Sequence, residues 1–341
     1  MRNKVVLGTV YGFIHFSVEV ASFYFLFSRV SENPLYVGLA LLFDAVAFLP
    51  QSIFGVITDR YPKFNVGLTG ALMMLAALMI KNDLPALMLL GFGNAMIHIS
   101  GAQHTLRDTD GKITPNAIFV GGGSFGVITG QLLGGMAAPK LLLIPVALLT
   151  VSGMIMFFVH KENDLTGKIA VFDAAADRSI PFVALCALIG VTVRGYIAYA
   201  IPTEWNKTVP QAVALFVCMG IGKTLGGVLC DKIGCRAVSY LSLLGGLPFL
   251  LAGNNRMLLS LTGVALFSMT MPVTVAVLAS VFPKRPGFAF GITTTGLFLG
   301  VAPVFFWRPD TLLSHQLLVI LLTAAALPTF VLSIKKGRCK C

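Results

Sequence analysis

Hydrophobic residues along this chain fall into long, nearly unbroken runs separated by short polar turns. There are twelve runs, near 5–29, 35–57, 64–80, 84–105, 113–136, 140–160, 180–203, 211–230, 236–253, 257–282, 286–306 and 312–334. A helix of about 20 apolar residues spans a bilayer core. Barrel strands alternate in polarity and are only about ten residues long, so these runs predict helices. The turns carry a second pattern. Gly55-x-x-x-Asp59-Arg60 returns 172 residues later as Gly227-x-x-x-Asp231-Lys232. Gly91 and Gly263 keep the same spacing, and Pro115 and Pro286 each begin a run, 171 apart. The expected fold is an all-α membrane protein of twelve transmembrane helices, built as two pseudo-symmetric six-helix bundles. Such duplication commonly underlies alternating access.

On this reading residues 1–160 form the N-terminal bundle. Residues 161–179 form a cytoplasmic linker that reads as a tether, and 180–341 form the C-terminal bundle with a short cytoplasmic tail. Composition agrees: 56% of residues are apolar, 11% are charged, and the mean hydropathy is +0.86. With the N-terminus inside, inner segments hold seventeen of the 25 Lys and Arg and outer turns six. That bias places both termini in the cytoplasm of a multi-pass plasma-membrane protein. The net charge of +11 is then topological, and no nucleic-acid partner is expected. The first run is too long for a signal h-region, so no cleavable signal is expected. The six cysteines lie in spans or on the inner side, where thiols stay reduced. Cys339-Lys-Cys341 reads as a solvated tail in preference to a metal or lipid site. No segment outside the membrane is large enough for a soluble catalytic site. An enzyme, a cofactor and a metal are therefore not expected, and a monomer is.

Polar residues inside the runs narrow the chemistry. Of the acidic residues only Glu19 and Asp44 lie well inside spans, and of the basic ones only Arg194 and Lys223. Burying a charge there costs a few kcal/mol, which makes each a functional candidate. Tyr11, His15, Glu19 and Ser22 draw one stripe down the first helix. A midplane carboxylate beside an imidazole suits proton handling; the alternative is a structural pair that only fixes packing. Asn94 and His98 share a face of the fourth helix, and His104 is expected at the cytoplasmic interface. His98 corresponds by repeat to Thr270, beside Pro272, where a bend is expected. Arg194 falls near the depth of Glu19. It either pairs with Glu19 or Asp44 or holds a negative group of a solute. Lys223 aligns with Gln51 and is either a solute contact or a counter-ion. Glycines 122, 126, 130 and 134 form a ladder that permits close helix approach, expected as a sliding contact between halves. Gly222-Lys223-Thr224 and Gly121-x-Gly123-x-x-Gly126 imitate nucleotide-binding loops but lie inside apolar helices. His15, Glu19 and His98 show no metal-specific spacing.

With these motifs in hand, the chain resembles the major facilitator superfamily over almost its whole length. The family's turn between helices 2 and 3 is matched by Gly55, Asp59, Arg60 and Lys63, and again by Gly227, Asp231, Lys232, Gly234 and Arg236. His15-x-x-x-Glu19, Gly91-x-Gly93-Asn94-Ala95-x-x-His98 and Gly222-Lys223-x-Leu225-Gly226-Gly227 look like fosmidomycin-resistance transporters. Gly126-x-x-x-Gly130-Gln131-x-x-Gly134-Gly135 is similar to the helix 5 signature of drug–proton antiporters, with Gln131 where proline is usual. The antiporter arginine of helix 4 is missing. The resemblance implies a proton-coupled secondary transporter of a small polar or anionic solute or drug, exporting by antiport. Helices 1, 4, 7 and 10 would line the cavity. Glu19, His15 and Asp44 would handle protons, and Tyr11, Asn94, His98, Arg194, Lys223 and Thr270 the solute. Gly55, Asp59, Arg60, Gly227, Asp231, Lys232 and Arg236 would form gating turns, whose aspartates cap neighbouring helices in the outward-open state. The alternatives are an importer, by symport, of a nutrient or organic anion, and a membrane sensor that does not transport.

Overall fold

The computed structural model describes residues 4–335 apart from 108, 137, 163, 164, 202 and 308–310. Arg2, Arg308, Lys336, Arg338, Lys340 and the Cys339-Lys-Cys341 tail, all used above, lie outside the described residues. Helices follow the apolar runs: α1 Lys4–Val30, α2 Tyr36–Arg60, α3 Val66–Met79, α4 Asp83–Leu106, α5 Thr114–Gly135 and α6 Pro139–Lys161. The second half repeats them as α7 Ile180–Ala200, α8 Val209–Ile233, α9 Cys235–Ala252, α10 Met257–Val281, α11 Pro286–Phe305 and α12 Leu312–Ser333. Among the described residues the only β pairing is an isolated bridge between Ala175 and Ile334.

Local chemistry explains where the helices bend and stop. Pro50 interrupts α2 after Phe48 because it has no N–H to give the preceding turn. Pro272 does the same to α10, which breaks at Met269, as the sequence leads one to expect. Gly234 adopts φ 91°, a conformation open to glycine at little cost, and so joins α8 to α9 in one residue. The 14-residue α3 is about 21 Å long, short of a full span. Both of its ends are tied down. Asn65 accepts from the Leu68 N–H at 3.0 Å. At the other end the Arg29 guanidinium donates to the carbonyls of Ile80 and Lys81 and pairs with Asp83 at 2.6 Å.

Glycines set the closest packing. Gly122, Gly126, Gly130 and Gly134 lie against the α1 backbone at Gly12, Phe16, Val20 and Tyr24, in step by four residues. The ladder therefore joins α5 to α1 within one half; it is not a contact between halves. The reason is that both helices carry the same four-residue period. The repeat mate of this pair is α7 with α11, where Gly300 meets Thr192 and Gly296 meets Val191. The seam between halves is formed elsewhere. Gly55 and Gly291 of α2 and α11 approach Gly287 and Ser52 across it, and Gly121 of α5 approaches Gly220 and Thr224 of α8.

The stretch 170–176 of the linker is docked, contrary to the reading of 161–179 as a simple tether. Ala170 donates to the Pro283 carbonyl, Ala176 to Ser333, and Lys335 returns a bond to Ala174. Backbone groups left unpaired by a chain lying against helix ends need such partners.

Candidate functional site

Midway along α1 and α4, four predicted residues converge. His15 and Glu19 lie one turn apart on α1, and Asn94 and His98 one turn apart on α4, so two helical stripes face each other. The two imidazole Nε2 atoms are 2.9 Å apart, and Glu19 Oε1 is 3.5 Å from each. Asn94 Nδ2 donates to Glu19 Oε1 at 3.3 Å and to Ser22 Oγ at 3.1 Å. His15 Nδ1 reaches the Phe119 carbonyl of α5, and His98 Nδ1 the Asn94 carbonyl, both at 2.9 Å. Gly123 leaves the room that the His15 ring occupies, since a Cβ there would overlap it. All three ionisable members are buried, with relative exposures of 6–9%.

The second half presents one cation, Lys223, to this cluster. Lys223 of α8 crosses the seam and donates to Ser124 Oγ of α5 at 2.8 Å. It acts electrostatically on Glu19 and Arg194, and on His98. Arg194 of α7 is buried, with Nη1 3.1 Å from Met271 Sδ of α10. Thr270 uses its hydroxyl proton within α10, on the Phe267 carbonyl. Tyr11 lies deeper than the cluster and stacks on His104 at 4.9 Å. His104, in the last turn of α4, is buried between Tyr11 and His160. Its Nδ1 bonds the Ser100 carbonyl, which lets an imidazole sit in the core.

Asp44 stands apart, on the wall of a cavity of about 470 Å³ that both halves line. Phe23 and Phe27 of α1, Tyr36 of α2, Gln131 of α5 and Phe306 and Trp307 after α11 surround it. Phe23 is one turn from Glu19, and Gly130, next to Gln131, packs on the Glu19 backbone. The cavity thus ends within a turn of the cluster.

At the opposite end both predicted turns form caps across the seam. Asp59 accepts from the N–H groups of Gly287 and Phe288, at 3.1 and 2.9 Å, at the start of α11. Asp231 accepts from those of Ile113 and Thr114, at 2.8 and 3.0 Å, at the start of α5. A carboxylate satisfies free N–H groups at a helix start and complements its dipole. Pro115 and Pro286 stand beside these donors, where a missing N–H costs nothing. The repeat of the turns thus extends to their partners, α2 with α11 and α8 with α5.

Sequence reasoning missed three partners. Arg107 pairs with Asp59 at 3.0 Å while donating to the Leu165 carbonyl at 2.6 Å. Gln103 reaches Thr58 and Asp59 at 2.8 and 3.2 Å. The Phe119 carbonyl orients His15. In the sequence Arg107 stands just past the end of the fourth apolar run and is one of the inner-side cations.

No protein-family model and no curated protein sequence matches the chain. Solved structures do resemble it. The E. coli fucose:proton symporter FucP aligns with a TM-score of 0.70 at 14% identity, over 97% of this chain and 99% of that one. The human organic anion transporter MFSD10 (TETRAN) aligns with a TM-score of 0.68 at 16% identity, over 96% and 97%. A bacterial homologue of the iron transporter ferroportin, in its outward-facing state, gives 0.59 at 13%, over 97% and 98%. The twelve helices, their two related halves and these likenesses together establish the fold of this chain as that of major facilitator superfamily transporters.

Proposed function

We propose that this chain is a secondary active transporter that moves a small polar or charged solute across a membrane by alternating access. One observation carries the reading. Two symmetry-related carboxylate caps shut the seam at one end, while a cavity lined by both halves opens at the other and ends within a helical turn of the buried cluster. Caps of this kind hold only when the halves are together at that end, so they favour one facing over the other. The positive-inside bias makes the capped end cytoplasmic and the described state outward-facing.

Among the three residues expected to handle protons, Asp44 is the one the open cavity reaches. Glu19 is held by Asn94 and faced by two imidazoles, an arrangement suited to binding. In this reading Asp44 carries the coupling proton, with Tyr36 and Glu19 as its charged or titratable neighbours. Export by antiport is the direction that the helix 5 glycine pattern suggests. The likeness to a fucose:proton symporter favours import as the second reading.

Labelling tests the central claim. In a background lacking native cysteines, single cysteines are placed at Val37, in the cavity wall, and at Ser52, in the α2–α11 seam. A membrane-impermeant maleimide should label Val37→Cys from outside and leave Ser52→Cys protected. Equal reactivity at both positions, unchanged when the caps are removed, would sink the reading. In proteoliposomes, Asp44→Asn should abolish the response of flux to an imposed pH gradient while solute counterflow persists.

A further inference from the structure

Both imidazoles of the central cluster are pinned in the same way. A carbonyl can only accept a hydrogen bond, so the 2.9 Å contacts to Phe119 and Asn94 require a proton on each Nδ1. Each neutral ring then turns an unprotonated Nε2 inward. Two nitrogen lone pairs face each other at 2.9 Å, with a carboxylate oxygen 3.5 Å from both. Three electron-rich atoms held this close repel one another unless a cation lies between them. Geometry indicates which cation. The point equidistant from the corners of a triangle with sides 2.9, 3.5 and 3.5 Å lies about 1.9 Å from each, near the ~2.0–2.2 Å of Zn–N and Zn–O bonds. The carbonyl behind each histidine is the usual orienting partner of a metal-binding imidazole, and Asn94 serves Glu19 in the same way.

We infer that His15, Glu19 and His98 bind a divalent first-row transition-metal ion, such as Zn²⁺, Fe²⁺ or Mn²⁺, and that this ion is the solute carried. The assignment of the ion as cargo rests on the transporter reading above. Two imidazoles and one carboxylate suit these ions better than Mg²⁺ or Ca²⁺, which prefer oxygen, or Cu⁺, which prefers sulfur. Three protein ligands leave a coordination position open, as exchange of a transient cargo requires. The cavity beside Asp44, Phe23 and Gln131 supplies the approach. Charges on both sides bear on the site. Asp44 and Glu19 attract a dication, while Lys223 opposes it from α8, with its ammonium held on Ser124.

The test uses purified full-length protein, stripped with a chelator and titrated with Co²⁺. The wild type should bind one equivalent, with the visible ligand-field absorption of a low-coordinate nitrogen–oxygen site, and Zn²⁺ should displace it. His98→Gln and Glu19→Gln, checked as monodisperse, should lose the band. Asn94→Ala, which frees Glu19 without removing a ligand, should weaken binding about 10- to 100-fold. Proteoliposomes enclosing a metal-quenched dye should then report Co²⁺ flux in the wild type alone. No Co²⁺ binding by the wild type means that the imidazoles share only a proton, and overturns the proposal. Binding that persists in both ligand variants overturns the site, and binding without flux overturns the ion as cargo. None of these failures touches the labelling at Val37 and Ser52, which judges the transporter reading by itself.

Discussion

Glycine 123 shows how little separates a working cluster from a displaced one. It belongs to a helix that contributes no ionisable side chain to the cluster, yet a methyl group on its Cα would overlap the His15 ring. The obstacle is the far end of a side chain, which can rotate, so the helices need not move. Gly123→Ala should therefore fold, with a stability change within the ~1–3 kcal/mol of a mild overpacking. It should lower Co²⁺ affinity about 10- to 100-fold, because the imidazole loses its orientation. A melting curve and a Co²⁺ titration on the same sample check both halves of this statement; unaltered affinity would mean that His15 is not a ligand. The same residue illustrates what sequence could show. The stripe of His15 and Glu19 and the pairing of Asn94 with His98 were visible from helical spacing. Their convergence was not, because His15 and His98 are 83 positions apart and meet through the packing of α1 on α4. The Phe119 carbonyl that sets the tautomer of His15 has no sequence signature, since every residue has a carbonyl.

Among the elements, α1 and α5 form the most intimate pair, and its energetics separate glycines that look alike in sequence. Gly126 would place a Cβ on the Phe16 carbonyl, a backbone atom that cannot step aside, whereas a Cβ on Gly135 meets nothing within 4 Å. Gly126→Ala should lower stability by about 1–3 kcal/mol or force the helices apart. Gly135→Ala should leave the melting temperature unchanged, and equal effects would show that the ladder does not govern the contact. The ladder itself was legible as a four-residue period, but its partner was not. The sequence says that a helix face is bare; it does not say which neighbour fills it. Element existence was otherwise plain, because every span follows from a long apolar run and Pro50 and Pro272 mark the breaks. The docking of residues 170–176 escaped notice because backbone hydrogen bonds, rather than an apolar pattern, hold them.

For the molecule as a whole, the two caps have the same geometry but unequal surroundings. Each aspartate accepts two backbone N–H groups from the other half. Hydrogen bonds to a charged group contribute roughly 1.5–3 kcal/mol. Removing the charge from one cap at a cost of about 2 kcal/mol would change the ratio of the two facings about 30-fold. The caps share no residue, so their effects should add. Asp231→Asn loses the cap and weakens the bond that its carboxylate accepts from the Thr114 hydroxyl. Asp59→Asn also strands Arg107, whose side chain is 4% exposed and paired with Asp59 at 3.0 Å. Breaking such a buried pair from one side costs about 3–5 kcal/mol. Asp59→Asn should therefore expose the Ser52→Cys probe more than Asp231→Asn does, and should melt at a lower temperature. A second change, Arg107→Leu, should recover part of that stability by removing the stranded charge, without restoring protection of the probe. Contrast the surface pair Asp173–Lys335, 41% and 40% exposed, where Asp173→Ala should cost under about 1 kcal/mol and leave the probe protected. Equal labelling and equal melting in the Asp59 and Asp231 variants would mean that Arg107 plays no part in holding the end shut.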